Sequence, residues 1–190
     1  MRSTRLCLLV ALVSITSLAC TRRQGPLLPR ASADSNPPAV EEPFARLPWT
    51  IAVPEGMELV NSSADGVFFG AKPGPDGARE ASVKARHSVG TVPPPGETPE
   101  ARAERVARDY EGTLGTPPRK SSPARVDGQA AWETFANVRA PDGGSKFVYH
   151  LVVAAEGYDV SISGDTSANR EGTWLPRFRA SAGSWKAKPK

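Results

Sequence analysis

Cysteine occurs only twice in the 190 residues, at positions 7 and 20, and histidine only twice, at 87 and 150. Neither pair sits in the close spacing that thiolate or imidazole zinc sites use, and no clustered Asp, Glu or Cys stands near either histidine in sequence, so no metal centre is expected. An excess of one charge is also missing. Removing Arg2 and Arg5 from the count leaves 22 basic against 20 acidic side chains, finely mixed, which excludes the clustered basic face that nucleic-acid binding needs. Long apolar runs are absent too. The stretch from Leu6 to Leu18 falls well short of the ~20 residues required to span a bilayer. The nucleophile elbow, the phosphate-binding loop, the dinucleotide glycine pattern and the zinc-protease histidine pair are all missing. No enzyme activity and no cofactor are expected.

What is present begins at the N-terminus. "MRSTRLCLLVALVSITSLAC" has a cationic start, a short apolar core and small residues before Cys20, the composition of a secretory signal that is removed after export. Ser17, Leu18, Ala19 and Cys20 resemble the lipobox of bacterial lipoproteins, although Ser17 stands where leucine is usual. The resemblance implies that residues 1–19 are a lipoprotein signal peptide and that Cys20 carries fatty acyl chains such as palmitate. It also implies a bacterial cell envelope location, and Thr21 after the cysteine points to the outer membrane facing the periplasm. The competing reading is an ordinary secretory signal with a cysteine near the cut by chance. If Cys20 is lipidated and Cys7 leaves with the signal, the mature chain has no free thiol, hence no internal disulfide and no cysteine nucleophile.

Residues 20–46 are rich in proline and small polar residues and have no apolar period, so they cannot bury enough surface to offset ordering entropy. They read as a tether with a root-mean-square span of roughly 30 Å. Arg22 and Arg23 read as solvated, as do Glu41 and Glu42, where no rigid frame exists to shift a pKa.

From Leu47 onward the pattern is that of one domain, 47–186, followed by a basic tail over 187–190. "WTIAV" (49–53), "GVFFGA" (66–71) and "ASVKARHSV" (81–89) read as strands, the last with Ala81, Val83, Ala85, His87 and Val89 on one face. Thr98 and Pro99 then open a helix, with Ala103, Val106, Ala107, Tyr110 and Leu114 inward and Arg102, Glu104, Arg105, Arg108 and Glu111 outward. "PARV" (123–126), "QAAWETFANVRA" (129–140), "SKFVYHLVVAA" (145–155) and "YDVSISG" (158–164) form a meander joined by DG, PDGG and EG turns. A closing helix carries Trp174, Phe178, Ala182 and Trp185 on one stripe. The expected class is α+β: an antiparallel sheet of about six to seven strands in the order βββαββββα, covered by two helices.

"WTIAVPEGMELV", "RVDGQAAWETFANV", "FVYHLVVAAEGYDVSIS" and "WLPRFRASAGSWK" together resemble the PsbP-like group, including its DcrB-type and Mog-type members. The resemblance implies a small antiparallel sheet covered by helices and carries no catalytic signature. His87 and His150 read as packed histidines, "NSSADG" (61–66) and "SGDTSAN" (163–169) as turn and cap chemistry, and Phe44, Phe68 and Phe69 as the aromatics to watch for a partner site. The expected function is a non-catalytic interaction or accessory module, tethered to the membrane through Cys20 and engaging an envelope protein. The alternative is a small-ligand carrier or hydrolase with a pocket between helix and sheet.

Overall fold

The structure, a computed structural model, describes residues 44–89 and 93–189. Both cysteines, and the stretches read from the sequence as a signal peptide and, as far as residue 43, a tether, lie outside the described residues. Among the described residues, no helix is long and apolar enough to cross a membrane.

The chain opens with a short strand β1 (Trp49–Thr50), then β2 (Met57–Ser62), β3 (Gly66–Ala71) and β4 (Ala81–Val89). Helix α1 (Pro99–Gly112) intervenes before β5 (Lys120–Val126), β6 (Gln129–Arg139), β7 (Ser145–Ala155) and β8 (Tyr158–Ser167). Helix α2 (Glu171–Gly183) and a two-residue strand β9 (Lys186–Ala187) complete it. Seven strands form one antiparallel sheet in the order β2-β3-β4-β8-β7-β6-β5, while β1 pairs separately with β9. The class is α+β, as the sequence implies.

Local chemistry accounts for the elements. Thr98 Oγ1 accepts from the Ala101 amide at 3.2 Å and Pro99 occupies the first helical position, so α1 starts where the cap dictates. Asp127 and Gly128, with φ of 49° and 73°, make the left-handed pair that a two-residue hairpin between β5 and β6 demands. Two strands are additional: β2, at the edge of the seven-stranded sheet with Met57 and Leu59 packed on the core, and β9, which pairs with the shortened "WTIAV" strand β1 outside that sheet.

The register sorts the side chains into two faces. Phe135, Tyr149, Gly164, Val83, Phe69 and Leu59 stand in one row across β6, β7, β8, β4, β3 and β2. Helix α2 covers this face, and Trp174, Phe178, Ala182 and Trp185 are all buried in the core. Trp185 sits just beyond the helix end, capped at Ser184, yet is 0% exposed. Phe178 lies flat on β8, and a Cβ built on Gly164 would stand 2.9 Å from its ring. Gly164→Ala is therefore expected to displace Phe178 and cost about 1–3 kcal/mol by overpacking. Thermal unfolding followed by near-ultraviolet dichroism checks this, and an unchanged midpoint would contradict the contact.

Segments at the two ends of the described chain close over the same face. Phe44 is half-buried, its ring 6.4 Å from that of Phe69, and Leu47 donates to the Phe44 carbonyl at 3.1 Å. Lys188, in the stretch read as a solvated tail, donates its amide to Pro48 O at 2.9 Å and its ammonium to Phe44 O at 2.5 Å.

Candidate functional site

The opposite face of the sheet is only half covered. Helix α1 packs on β6 and β7, and among the described residues no helix lies above β2, β3, β4 and much of β8. The row Phe68, Lys84, Ser163, His150 and Thr134 crosses this face, with Arg86 and Ser161 in the next row. The Lys84 ammonium lies 5.4 Å from the centroid of the half-buried Phe68 ring, within cation–π range. Beside it, the Arg86 side chain crosses Gly66 so closely that a Cβ there would stand 2.8 Å from Arg86 Cγ and 2.3 Å from Ala85 O. Where β2 bulges between Leu59 and Asn61, a cleft of about 300 Å³ opens, lined by Asn61, Ser62, Ser63, Phe68, Lys84 and Arg86 over Gly66. The nearest acid is Asp65, 4.0 Å from Arg86 Nε. Its other oxygen accepts from Ser63 Oγ at 2.5 Å, and that hydrogen bond holds the carboxyl below the usual range.

Under α1 the packing is polar. Glu111 Oε1 accepts from Ser121 Oγ at 2.5 Å and from Thr134 Oγ1 at 2.9 Å, and Ser121 in turn accepts from the Trp132 indole at 2.7 Å. Burial pushes the Glu111 carboxyl up, but these hydrogen bonds and Arg108 outweigh it, so the net shift is downward. Arg102 Nε and Asp159 Oδ1 stand 2.9 Å apart with side chains 11% and 6% exposed, and Arg102 Nη2 also donates to Ala155 O. Burial raises the Asp159 carboxyl despite that cation. Arg102 and Glu111 thus turn inward, against the outward placement read from the sequence. An apolar-period criterion cannot see a charge whose partner sits on a distant strand.

His150 stacks on Tyr110, ring centroids 3.7 Å apart, and its Nε2 is 2.6 Å from Ser161 Oγ. This pair has the outline of a nucleophile and base. Burial lowers the His150 pKa to about 4, leaving a weak base, and Nδ1 has no partner among the described residues to orient the ring. The arrangement is a packed histidine satisfied by a strand serine. His87 is half-buried between Trp49 and Tyr158, at ring distances of 6.3 and 5.9 Å.

The remaining sequence candidates distribute as follows. Cys20 lies outside the described residues. Phe69 is 0% exposed in the core and Phe68 faces the open side. "NSSADG" spans the turn between β2 and β3, whereas Ser163 to Ser167 belong to β8, with Asp165 held by Lys146 at 2.5 Å and by Ser82. Among the described residues, no group of three or more His, Cys, Asp and Glu stands together as metal ligands. Sequence reasoning missed Lys84 and Arg86 as a pair. Alternation shows that they share a polar strand face, but not that the neighbouring strand offers a glycine and a phenyl ring beneath them.

No protein-family model and no curated protein matches the sequence. Solved structures do match in fold. LpqN of Mycobacterium tuberculosis, described as involved in cell envelope biogenesis, aligns with a TM-score of 0.58 at 17% identity, over 74% of this chain and 83% of that one. A Bacteroides thetaiotaomicron protein aligns with a TM-score of 0.53 at 8% identity over 76% of this chain, which spans about half (47%) of its length. Cyanobacterial PsbP (CyanoP) of Synechocystis is a weaker likeness, with a TM-score of 0.44 at 14% identity over 75% of this chain and 83% of that one.

Proposed function

We propose that this chain is a bacterial envelope lipoprotein, anchored through Cys20, whose α+β domain is a non-catalytic interaction module. The observation that carries the reading is the half-open sheet face. One side of the sheet is sealed by α2 and three buried tryptophans, and the other presents Phe68, Lys84 and Arg86 with no helix over them among the described residues. Antiparallel sheets commonly leave one face to solvent, and here that face carries an aromatic ring and an arginine, residue types enriched at protein contacts. LpqN, which shares the fold, supports an envelope setting. For the carrier or hydrolase alternative, a pocket between helix and sheet, the α2 side offers no room, because Trp174, Phe178 and Trp185, each at most 1% exposed, fill it.

Two measurements test the proposal. Photo-crosslinkers placed at Phe68 and Ser163 in intact cells are expected to trap a defined envelope partner. A crosslinker at Arg177, on the helix that seals the other side, is expected to trap none. Equal yields from both sides would remove the open face from the account. For the anchor, Cys20→Ala is expected to lose the acyl mass of the mature N-terminus and to leave the membrane fraction. A variant that stays membrane-bound ends the tether reading.

A further inference from the structure

Two cations of the cleft between β2, β3 and β4 are less closely paired than most arginines of the domain. Arg79, Arg105, Arg125 and Arg179 each hold a carboxylate oxygen at 2.7–3.0 Å. Arg86 has only Asp65, at 4.0 Å, and Lys84 has no carboxylate partner among the described residues. These two cations sit two residues apart on one strand, about 7 Å along it, and both are laid over β3, one across Gly66 and one across Phe68. Their stems therefore lie on β3 while the charged ends reach into solvent. The cleft wall adds the Asn61 amide, which stands across from Phe68 where β2 bulges, and none of its lining residues is an acid.

We propose that this cleft binds a phosphoryl group. The donors approach from two directions, the cations from β4 and the Asn61 amide from β2, which suits a tetrahedral oxyanion better than a planar carboxylate. Lys84 without a carboxylate and Arg86 with only a distant one leave positive charge to match a phosphate mono- or diester, and a volume of about 300 Å³ admits one such group with the first atoms of its carrier. Phe68 gives the carrier an apolar contact. The site lies on the face presented by the proposed module, yet its test reads ligand binding alone, so either can fail without the other.

The experiment uses the mature chain in an uncharged detergent and follows the backbone amides of Ser62, Ser63, Phe68, Lys84 and Arg86 by nitrogen–proton correlation spectra. Inorganic phosphate, glycerol 3-phosphate and glycerophosphoglycerol are titrated at constant ionic strength against acetate and chloride. Saturable shifts confined to these amides are expected with the phosphates only. Lys84→Gln and Arg86→Gln should each weaken binding about tenfold or more, as loss of a charge-assisted hydrogen bond does, while Arg86→Lys should retain most of it. Both positions face solvent, so unchanged spectra elsewhere will show that the variants fold. Tighter binding of glycerophosphoglycerol assigns a lipid headgroup as the source, and tighter binding of the monoesters assigns a free or polymer-borne phosphate. Acetate shifts equal to the phosphate shifts, or no saturable response, would overturn the proposal.

Discussion

Arg102→Ala is expected to cost about 3–5 kcal/mol of folding free energy, because it strips the cation from a buried pair and leaves the other charge in place. For a domain of this size that is a fall in unfolding midpoint of roughly 10 °C or more. The guanidinium bridges Asp159 on β8 and the Ala155 carbonyl at the end of β7, so one side chain fastens the first turns of α1 to two strands. Burial already raises the Asp159 carboxyl, and in the variant nothing opposes it. The sign of the pH effect follows. With a folded-state pKa raised further above the unfolded value, the folded variant takes up the proton first, so the deficit relative to the parent shrinks as pH falls. Replacing both partners by apolar residues, Arg102→Met with Asp159→Leu, should recover most of the loss. A single variant costing under about 1 kcal/mol, or a double variant worse than the single one, would show that the pair does not hold α1 down.

The two helices are attached by different physics, and that difference decided what the sequence revealed. Helix α2 docks through Trp174, Phe178 and Ala182, a stripe of large apolar groups whose period is visible in the chain. The cap at Thr98 and the Asp127–Gly128 turn were equally legible, since each rests on neighbours within a few residues. Helix α1 carries only Ala103 and Ala107 fully buried and is otherwise fixed by Arg102, Glu111 and Tyr110, whose partners Asp159, Thr134 and His150 are distant in sequence. Amphipathic reading puts such charges in water. The same blindness hid β2, where Met57 and Leu59 are the only alternating apolar pair before the polar run Asn61–Ser62. It also hid the open face, because the extent to which a helix covers a sheet is a property of crossover lengths and docking position rather than of any strand pattern.

Acid should loosen the α1 side first, and His150 sets where. The ring is 1% exposed, stacked on Tyr110 and bonded through Nε2 to Ser161, with burial lowering its pKa to about 4 and Glu111 partly opposing. The unfolded chain titrates near the ordinary value of about 6.5. A folded-state value below the unfolded one means that the unfolded chain binds the proton first. Stability from keeping this ring neutral is therefore complete above about pH 6.5, declines as pH falls, and is gone near pH 4. The span of about 2.5 pH units corresponds to about 3 kcal/mol, of which roughly 2 should already be lost by pH 5. Glu111 and Glu133 act in a separate window. Their carboxyls are held below the ordinary value, so their contribution disappears only below about pH 4.5. Urea unfolding at intervals between pH 7 and 5 reads the histidine alone among these groups. His150→Phe keeps an aromatic ring against Tyr110 but cannot take up a proton, and its stability should be nearly level across that interval. If the parent shows no slope there, or the phenylalanine variant keeps the full slope, the buried neutral imidazole is not what fixes the acid limit of this domain.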